Sequence, residues 1–596
     1  EDYYGIHYPL PKLDLIAIPD FAFGAMENWG AITFRENLLL YYPGITSKAG
    51  QERICEVIAH EMAHQWFGNL VSPSNWKYIW LNESFATFFG YGIVSHYYPE
   101  WDVWDQFLET QTNQALERDG LRETIPIELP GKSRVAITAS TAPILYNKGG
   151  SILRQLEGYI GKDNFRKGLR NYLERHAYSC ASSHHLWKAF EAVSEEPITR
   201  IMKSWIGQPG FPIVEVQRLG EKLILIQKRF TYLPNKSNQH WFIPLTIRFF
   251  YRGGDSSSVT TLLDAENKQI DIDTEAEAYK VNDGQSGFYR VKYLDRNDLN
   301  QLGKKVLNKT LTPEDRWGLQ NDFYALVRQS EASIDEYLDF LSNYTNEEGF
   351  LPLTSIASNL FEAFLVAEGS RRQKVASVGK SMFERVLKNI GLEPRSDERH
   401  TVSILRDRIA WHTVLYGSEE VRRFALEKFQ SLTQGEAIHP DIQKSVMQVG
   451  ALIGQEDAFD WFDQRLQSSD SEHERMNILI ALGCFRESRL IKKTQEYTLD
   501  RVPTRNKFIP LVSVASNPHA AAYLWHWFKS SIDRLEELHP MHYERVIEAI
   551  VPLGGLGREK EVRGFLEEYM EKKDTVKEVI TLSLERLEIY SRMRNA

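Results

Sequence analysis

A multidomain α+β protein is the fold class that this sequence predicts, and three observations predict it. The chain has 596 residues, too many for a single hydrophobic core. Hydrophobic residues make up 42% and charged residues 26%, an ordinary balance for packed globular domains. The apolar pattern changes period twice, from helical to alternating near residue 213 and back to helical near residue 296. The expected order is a mostly helical domain over 1–212, a small β-sandwich over 213–295, and a helical, solenoid-like domain over 296–596.

Taken in order, Leu13 to Ile18 alternates well enough for a strand, and Ala31-Ile32-Thr33-Phe34 reads as another. From Gln51 the pattern turns helical. Ile54, Val57 and Ile58 keep the i, i+3, i+4 rhythm, and Gly68 can end that run. A second helix starts near Trp80 with Glu83 in its first turn, and apolar spacing recurs over Val103–Leu116 and Ser151–Leu156. His184-His185 follows Ser182-Ser183 and reads as a helix N-cap with exposed imidazoles, not as a metal site. Pro209-Gly210-Phe211-Pro212 closes the region. Ile213–Val216, Leu223–Ile226, Trp241–Phe250, Val259–Leu263 and Gly287–Tyr293 then read as strands between Gly, Asn, Asp and Ser turns. In the last region Thr312-Pro313-Glu314-Asp315 is a capped helix start, and Val562, Phe565, Leu566 and Tyr569 share one helix face. Gly554-Gly555-Leu556-Gly557 lacks the lysine of a phosphate loop and reads as a turn.

The chemistry is carried by His60-Glu61-Met62-Ala63-His64. A spacing of four puts both imidazoles on one helix face, where they can converge on a cation such as Zn²⁺. Glu61 is then placed to take a proton from a metal-bound water. A five-residue motif also recurs by chance, so a third ligand is the discriminating observation. Eighteen residues separate His64 from Glu83, enough to leave one helix and enter another. His₂Glu is the ligand set of the thermolysin type, with a fourth position left open. A helix-start glutamate can instead be a solvated carboxylate favoured by the dipole, but Leu81, Phe85 and Phe88 around Glu83 suggest a buried start.

Two further stretches stand in fixed order around this pair, Gly24-Ala25-Met26-Glu27-Asn28-Trp29-Gly30 upstream and Leu145-Tyr146-Asn147-Lys148-Gly149-Gly150 downstream. With His60–Asn69 and Trp80–Ala86 they resemble the zinc aminopeptidases of the aminopeptidase N, puromycin-sensitive and tricorn-interacting factor type. The resemblance extends over essentially the whole chain, including Trp241–Leu245 and Ser286–Val291, which are similar to the family's third domain. It implies a thermolysin-like catalytic domain and one Zn²⁺ held by His60, His64 and Glu83. Glu61 would be the general base, and Tyr146 a hydrogen-bond donor to the tetrahedral oxyanion. Glu27 would be the partner of the substrate's free α-ammonium, within a substrate-binding box of Gly24, Ala25, Met26, Glu27 and Asn28. Gly24 and Ala25 are small enough for close backbone approach to a bound peptide. Without the resemblance Glu27 reads as a loop carboxylate and Tyr146 as a core tyrosine beside a turn. The family also places an aromatic and a further side chain around the first substrate residue; here those positions are Thr141 and Ala22. Small walls and no carboxylate at either predict preference for leucine, methionine and phenylalanine over alanine, with acidic residues poorest. Tyr3 to Lys12 is similar to a segment inside the family's catalytic domain, so a large N-terminal β-domain is expected in the full-length protein.

The partners this implies are peptides with a free N-terminus, and for tricorn-interacting relatives a protease complex. A net charge of −10 argues against nucleic acid or an anionic membrane as the main partner, and no run of eighteen apolar residues exists. Cys55, Cys180 and Cys484 are too few and too scattered for a disulfide framework, which favours the cytoplasm. Asn-x-Ser/Thr triplets start at Asn82, Asn235, Asn308 and Asn343, and a glycan on Asn82 would obstruct the neighbouring ligand. Three rivals remain for comparison: a zinc endopeptidase with the same ligands, a helical scaffold with a vestigial site, and a leukotriene-hydrolase-like enzyme. The box glutamate argues against the first, the complete ligand set against the second, and Ala25, where that group commonly has glycine, against the third.

Overall fold

The computed structural model describes residues 1–19, 21–129, 137–272 and 275–596. It is predominantly helical, with small sheets and a large helical C-terminal region. Near the N-terminus, β1 (Asp14–Ile18), β2 (Ala25–Met26) and β3 (Ala31–Arg35) form a sheet in the order β1-β3-β2. Ile32 and Phe34 on β3 are fully buried, and the period of two gives that strand an apolar inner face. The stretch between the two expected strands is therefore not wholly a loop. Ala25 pairs with Phe34 and Met26 with Thr33, so the Gly24–Asn28 stretch includes a short antiparallel strand.

Two helices follow. α1 (Lys48–Ala63) starts at Ser47, whose hydroxyl accepts from Gly50 N at 3.2 Å. α2 (Trp80–Tyr97) is buried along most of its length, as a helix apolar on nearly every side must be. The pair packs closely because Gly90 lacks a side chain: a Cβ there would stand 3.2 Å from Glu56 O. The chain between them forms β4 (Val71–Pro73). Beyond α2, α3 (Val103–Phe107) and α4 (Asn113–Asp119) run on through a wide turn over Leu108–Thr112. A second wide turn, Pro143–Lys148, leads into α5 (Gly149–Ile160), followed by α6 (Lys162–His176) and β5 (Ser179–Ala181), which pairs in parallel with β4. α7 (Ser183–Ser194) and α8 (Ile198–Ile206) complete the region. Ser182 caps α7 with His185, whose Nδ1 takes the Ser182 N–H at 3.1 Å, and both His184 and His185 are exposed.

The middle region has two sheets. β6 (Pro212–Leu219), β7 (Lys222–Arg229), β8 (Ile243–Tyr251) and β9 (Ser256–Leu263) match expected strands with shifted ends. β10 (Asn267–Asp271) and β11 (Ala276–Val281) were not expected, and β12 is confined to Arg290–Tyr293. The orders are β10-β7-β6-β12 and β11-β8-β9. β10 escapes a hydrophobic pattern search because it is an edge strand with Asn267, Gln269 and Asp271 exposed. In β11 the charged Lys280 interrupts the apolar alternation, yet it is buried beside Asp315 at 3.5 Å.

From Arg296–Leu307 to Lys577–Asn595 the chain is helical. Thr312 caps Pro313–Arg328 as its sequence requires, accepting from Asp315 N at 3.3 Å. The helix Pro540–Gly554 ends at the glycine run, which turns the chain with Gly557 at φ +77°. This region grips the N-terminal one through polar contacts. Glu472 pairs with Arg35 at 2.7 Å, Asp441 accepts from Lys48 N at 2.6 Å, and Glu544 accepts from Ala139 N at 2.7 Å. No described helix is long and apolar enough to cross a membrane.

Candidate active site and metal centre

The last turn of α1 meets the first turn of α2. His60 Nε2 lies 3.1 Å from His64 Nε2, and Glu83 Oε2 lies 3.8 and 3.5 Å from them. Tetrahedral bonds of 2.0–2.1 Å to one cation require donor atoms roughly 3.3–3.4 Å apart, so this triangle fits a zinc-sized ion. His64 Nδ1 faces Phe67 O at 3.2 Å and the Asn82 side-chain oxygen, both acceptors. Nδ1 therefore carries a proton, and Nε2 is the nitrogen that can give up its own proton for a ligand bond. The sequence reaches this geometry through Gly68. The helix already ends at Ala63, before the Gly68 expected to close it; Gly68, at φ +120°, lies in the turn beyond, where a Cβ would stand 2.1 Å from Asn82 Oδ1.

The charges point the same way. Burial raises the Glu83 carboxyl, but hydrogen bonds from His60 and His64 outweigh it and bring it to about 2. Burial disfavours charge on His64, yet Glu83, with Glu27 and Glu61 nearby, pushes it up to about 10. His60 moves down, mainly through burial. Burial, reinforced by Glu27 and Glu83 against the pull of His64, raises the Glu61 carboxyl to about 8. Its Oε2 is buried without a hydrogen-bond partner. Three acidic side chains thus crowd two imidazoles, an arrangement whose donor atoms could hold a divalent cation.

Tyr146 enters from the wide turn Pro143–Lys148. Its ring lies parallel to that of His60 at 6.1 Å, and burial together with Glu83 raises its hydroxyl well above the usual range. The turn is held by Ser84 Oγ donating to Leu145 O at 2.6 Å. Gly149 makes room for that bond, since a Cβ there would meet Ser84 Oγ at 1.9 Å. Lys148, fully buried, pairs with Asp119 at 2.9 Å and donates to Gly210 O at 3.0 Å.

On the other side stands the box. Glu27, Glu61 and His64 each offer an atom within 4.8 Å of the others. Glu27 Oε1 accepts from Asn82 Nδ2 at 3.1 Å, and its backbone oxygen accepts from Asn69 Nδ2 at 2.8 Å and Gln65 Nε2 at 3.2 Å. Gly24 O accepts from Arg35 N at 2.9 Å, Ala25 packs beside Ile32 and Phe34, and Met26 is exposed. Asn28 Nδ2 donates to Thr33 Oγ1 at 3.3 Å. Of the two pocket positions, Ala22 is exposed, whereas Thr141 is 7% exposed with its hydroxyl accepting from Thr138 N at 2.9 Å. The structure brings His60, His64, Glu83, Glu61, Glu27 and Tyr146 into one cluster. Sequence reasoning missed the three amides that hold it, Gln65, Asn69 and Asn82. The available signal was their position inside the ligand-bearing stretches.

Two imidazole nitrogens and a carboxylate converging beside a second buried carboxylate form the donor set of a metal-dependent hydrolase. Residues 1–205 match the Peptidase family M1 domain, and residues 278–589 match the ERAP1-like C-terminal domain. The chain is 33% identical over 598 residues to a leucyl aminopeptidase of Saccharolobus solfataricus, covering 100% of this chain and 73% of that protein. It is 33% identical over 604 residues to the tricorn protease-interacting factor F2 of Thermoplasma volcanium, covering 100% and 73%. To aminopeptidase M1 of Arabidopsis thaliana it is 30% identical over 618 residues, covering 99% and 69%. The chain belongs to peptidase family M1, and its activity is that of a metallo-aminopeptidase.

Proposed function

We propose that this aminopeptidase is zinc-dependent, with one ion held by His60, His64 and Glu83, and that Glu61, Tyr146 and Glu27 divide the remaining work. The observation that carries the reading is the donor triangle of 3.1, 3.5 and 3.8 Å beside the unpartnered Glu61 oxygen. When bound, the ion would supply Lewis-acid polarisation of the scissile carbonyl and activation of water. Glu61 takes the proton of the attacking water at Oε2 and returns it to the leaving amine nitrogen. The Tyr146 hydroxyl donates a hydrogen bond to the oxyanion of the tetrahedral intermediate, where charge appears only as the reaction proceeds. Glu27 accepts the substrate ammonium, which enforces cleavage of the first peptide bond. Gly24, Ala25, Met26 and Asn28 flank the peptide, and Ala22 and Thr141 bound the space for its first side chain.

The finer architecture belongs to the same reading: a thermolysin-like catalytic domain over 1–212, a β-sandwich over 213–295 and a solenoid-like domain over 296–596. Similarity to a tricorn protease-interacting factor supports peptides released by a larger protease as substrates, and that protease as a partner. The three unpaired cysteines support a cytoplasmic setting.

Elemental analysis together with turnover of leucine p-nitroanilide and its N-acetyl derivative tests the proposal. One zinc per chain and cleavage of the free amine alone are expected. Equal turnover of both compounds would make it an endopeptidase, and activity in metal-free protein would remove zinc from the mechanism.

A further inference from the structure

The Asn82 carboxamide lies between two groups that the proposed function treats separately. It is buried at 6% exposure, one residue before Glu83, and both of its ends are used. Nδ2 donates to Glu27 Oε1 at 3.1 Å, and Oδ1 faces His64 Nδ1. The orientation follows from chemistry. An ionised carboxylate only accepts, so the amide must turn its N–H₂ toward Glu27. Its oxygen is then left facing His64, which must offer an N–H from Nδ1 and so leave Nε2 as the nitrogen for a ligand bond. The amide thus joins Glu27 to the Nδ1 side of His64, where Phe67 O at 3.2 Å is the other acceptor. Gly68 gives the amide its seat, because a Cβ at that position would overlap Asn82 Oδ1 at 2.1 Å and Cγ at 2.7 Å.

We propose that Asn82 is a positioning residue shared by the metal centre and the amine clamp, holding His64 in its ligating tautomer and Glu27 at the point where a substrate ammonium arrives. The inference rests on the roles of His64 and Glu27 given above. Two consequences separate it from simple packing. Loss of the amide weakens metal binding through His64, and weakens recognition of a free amine only while Glu27 is present.

The test is a double-mutant cycle of Asn82→Ala and Glu27→Ala in the full chain, read twice. Zinc affinity, measured by competition with a chromophoric chelator, should fall roughly 10- to 100-fold on Asn82→Ala in both backgrounds. KM for leucine p-nitroanilide should rise roughly tenfold or more on Asn82→Ala alone, and no further once Glu27 is already alanine. Asn82→Asp is the second variant. It keeps the acceptor for His64 and loses the donor to Glu27, so zinc affinity should hold within about threefold while KM rises. Unchanged zinc affinity in Asn82→Ala, or an equal rise in KM with and without Glu27, overturns the proposal. If Glu27→Ala by itself leaves KM unaltered, the amine-clamp reading fails, and the result is distinct because the zinc measurements stand apart from it.

Discussion

The helix pair α1 and α2 and the C-terminal helices both bury charge, and they treat it in opposite ways. In the C-terminal region Arg316 meets Glu347 in a two-pronged pair, with Nε at 2.7 Å and Nη2 at 2.9 Å. Arg316 also donates to Leu311 O at 2.6 Å, and Glu347 Oε1 accepts from Gly349 N at 2.8 Å. That pair is complete within the chain. At the end of α1, Glu27, Glu61 and Glu83 gather around two imidazoles, and Glu61 Oε2 is buried with no hydrogen-bond partner. Burying a carboxylate without a partner is unfavourable, and burial accordingly lifts the Glu61 carboxyl to about 8. The difference teaches that buried charge alone does not mark a working site: Arg316 and Glu347 close on each other, whereas Glu61 Oε2 is left open beside a cluster of possible metal ligands.

The largest expected effect breaks the comparison at its centre. Glu61→Gln removes the proton acceptor and should lower kcat about 10²- to 10⁴-fold while elemental analysis still finds the metal. The same substitution should raise the melting temperature of the metal-free protein increasingly from about pH 5 to pH 8, because burial lifts the Glu61 carboxyl to about 8 and folding must then keep it protonated. Activity within about twofold of wild type would exclude Glu61 as the base.

Tyr146→Phe comes next. One oxyanion donor is worth about 2.7–4 kcal/mol, so kcat should fall roughly 10²- to 10³-fold with KM nearly constant. A change confined to KM in steady-state kinetics would move Tyr146 from catalysis to binding.

Arg316→Met tests the other half of the comparison. It strands Glu347 and should destabilise the C-terminal region by about 3–5 kcal/mol, leaving kcat of the folded fraction unchanged. The double change Arg316→Met with Glu347→Leu should recover most of that loss in denaturant unfolding. If the single variant unfolds like wild type, the pair is not the closed unit described here.

The smallest effect concerns the first side-chain pocket. Thr141→Phe should shift kcat/KM from leucine toward alanine substrates by roughly 1–3 kcal/mol of discrimination, measured with matched nitroanilides. The Thr141 hydroxyl is engaged by Thr138, so a companion Thr141→Val separates loss of that turn contact from filling of the pocket. An unchanged ranking in both variants would remove Thr141 from specificity.

The sequence by itself determined whatever depends on local spacing. His60, Glu61 and His64 were legible because a helical repeat dictates which side chains share a face. Thr312 was legible because a cap is satisfied within three residues. The helical C-terminal region followed from its apolar period. Glu27 and Tyr146 stand outside that reach. They come from a short strand and a wide turn, and only resemblance to a family pointed to them. Tertiary structure alone decided that the Asn82 amide spans His64 and Glu27, that Gly68 and Gly149 leave space for Asn82 and Ser84, and that Lys280 is buried on β11. Each of these depends on which distant segment arrives opposite, and neither residue type nor spacing along the chain encodes that partner.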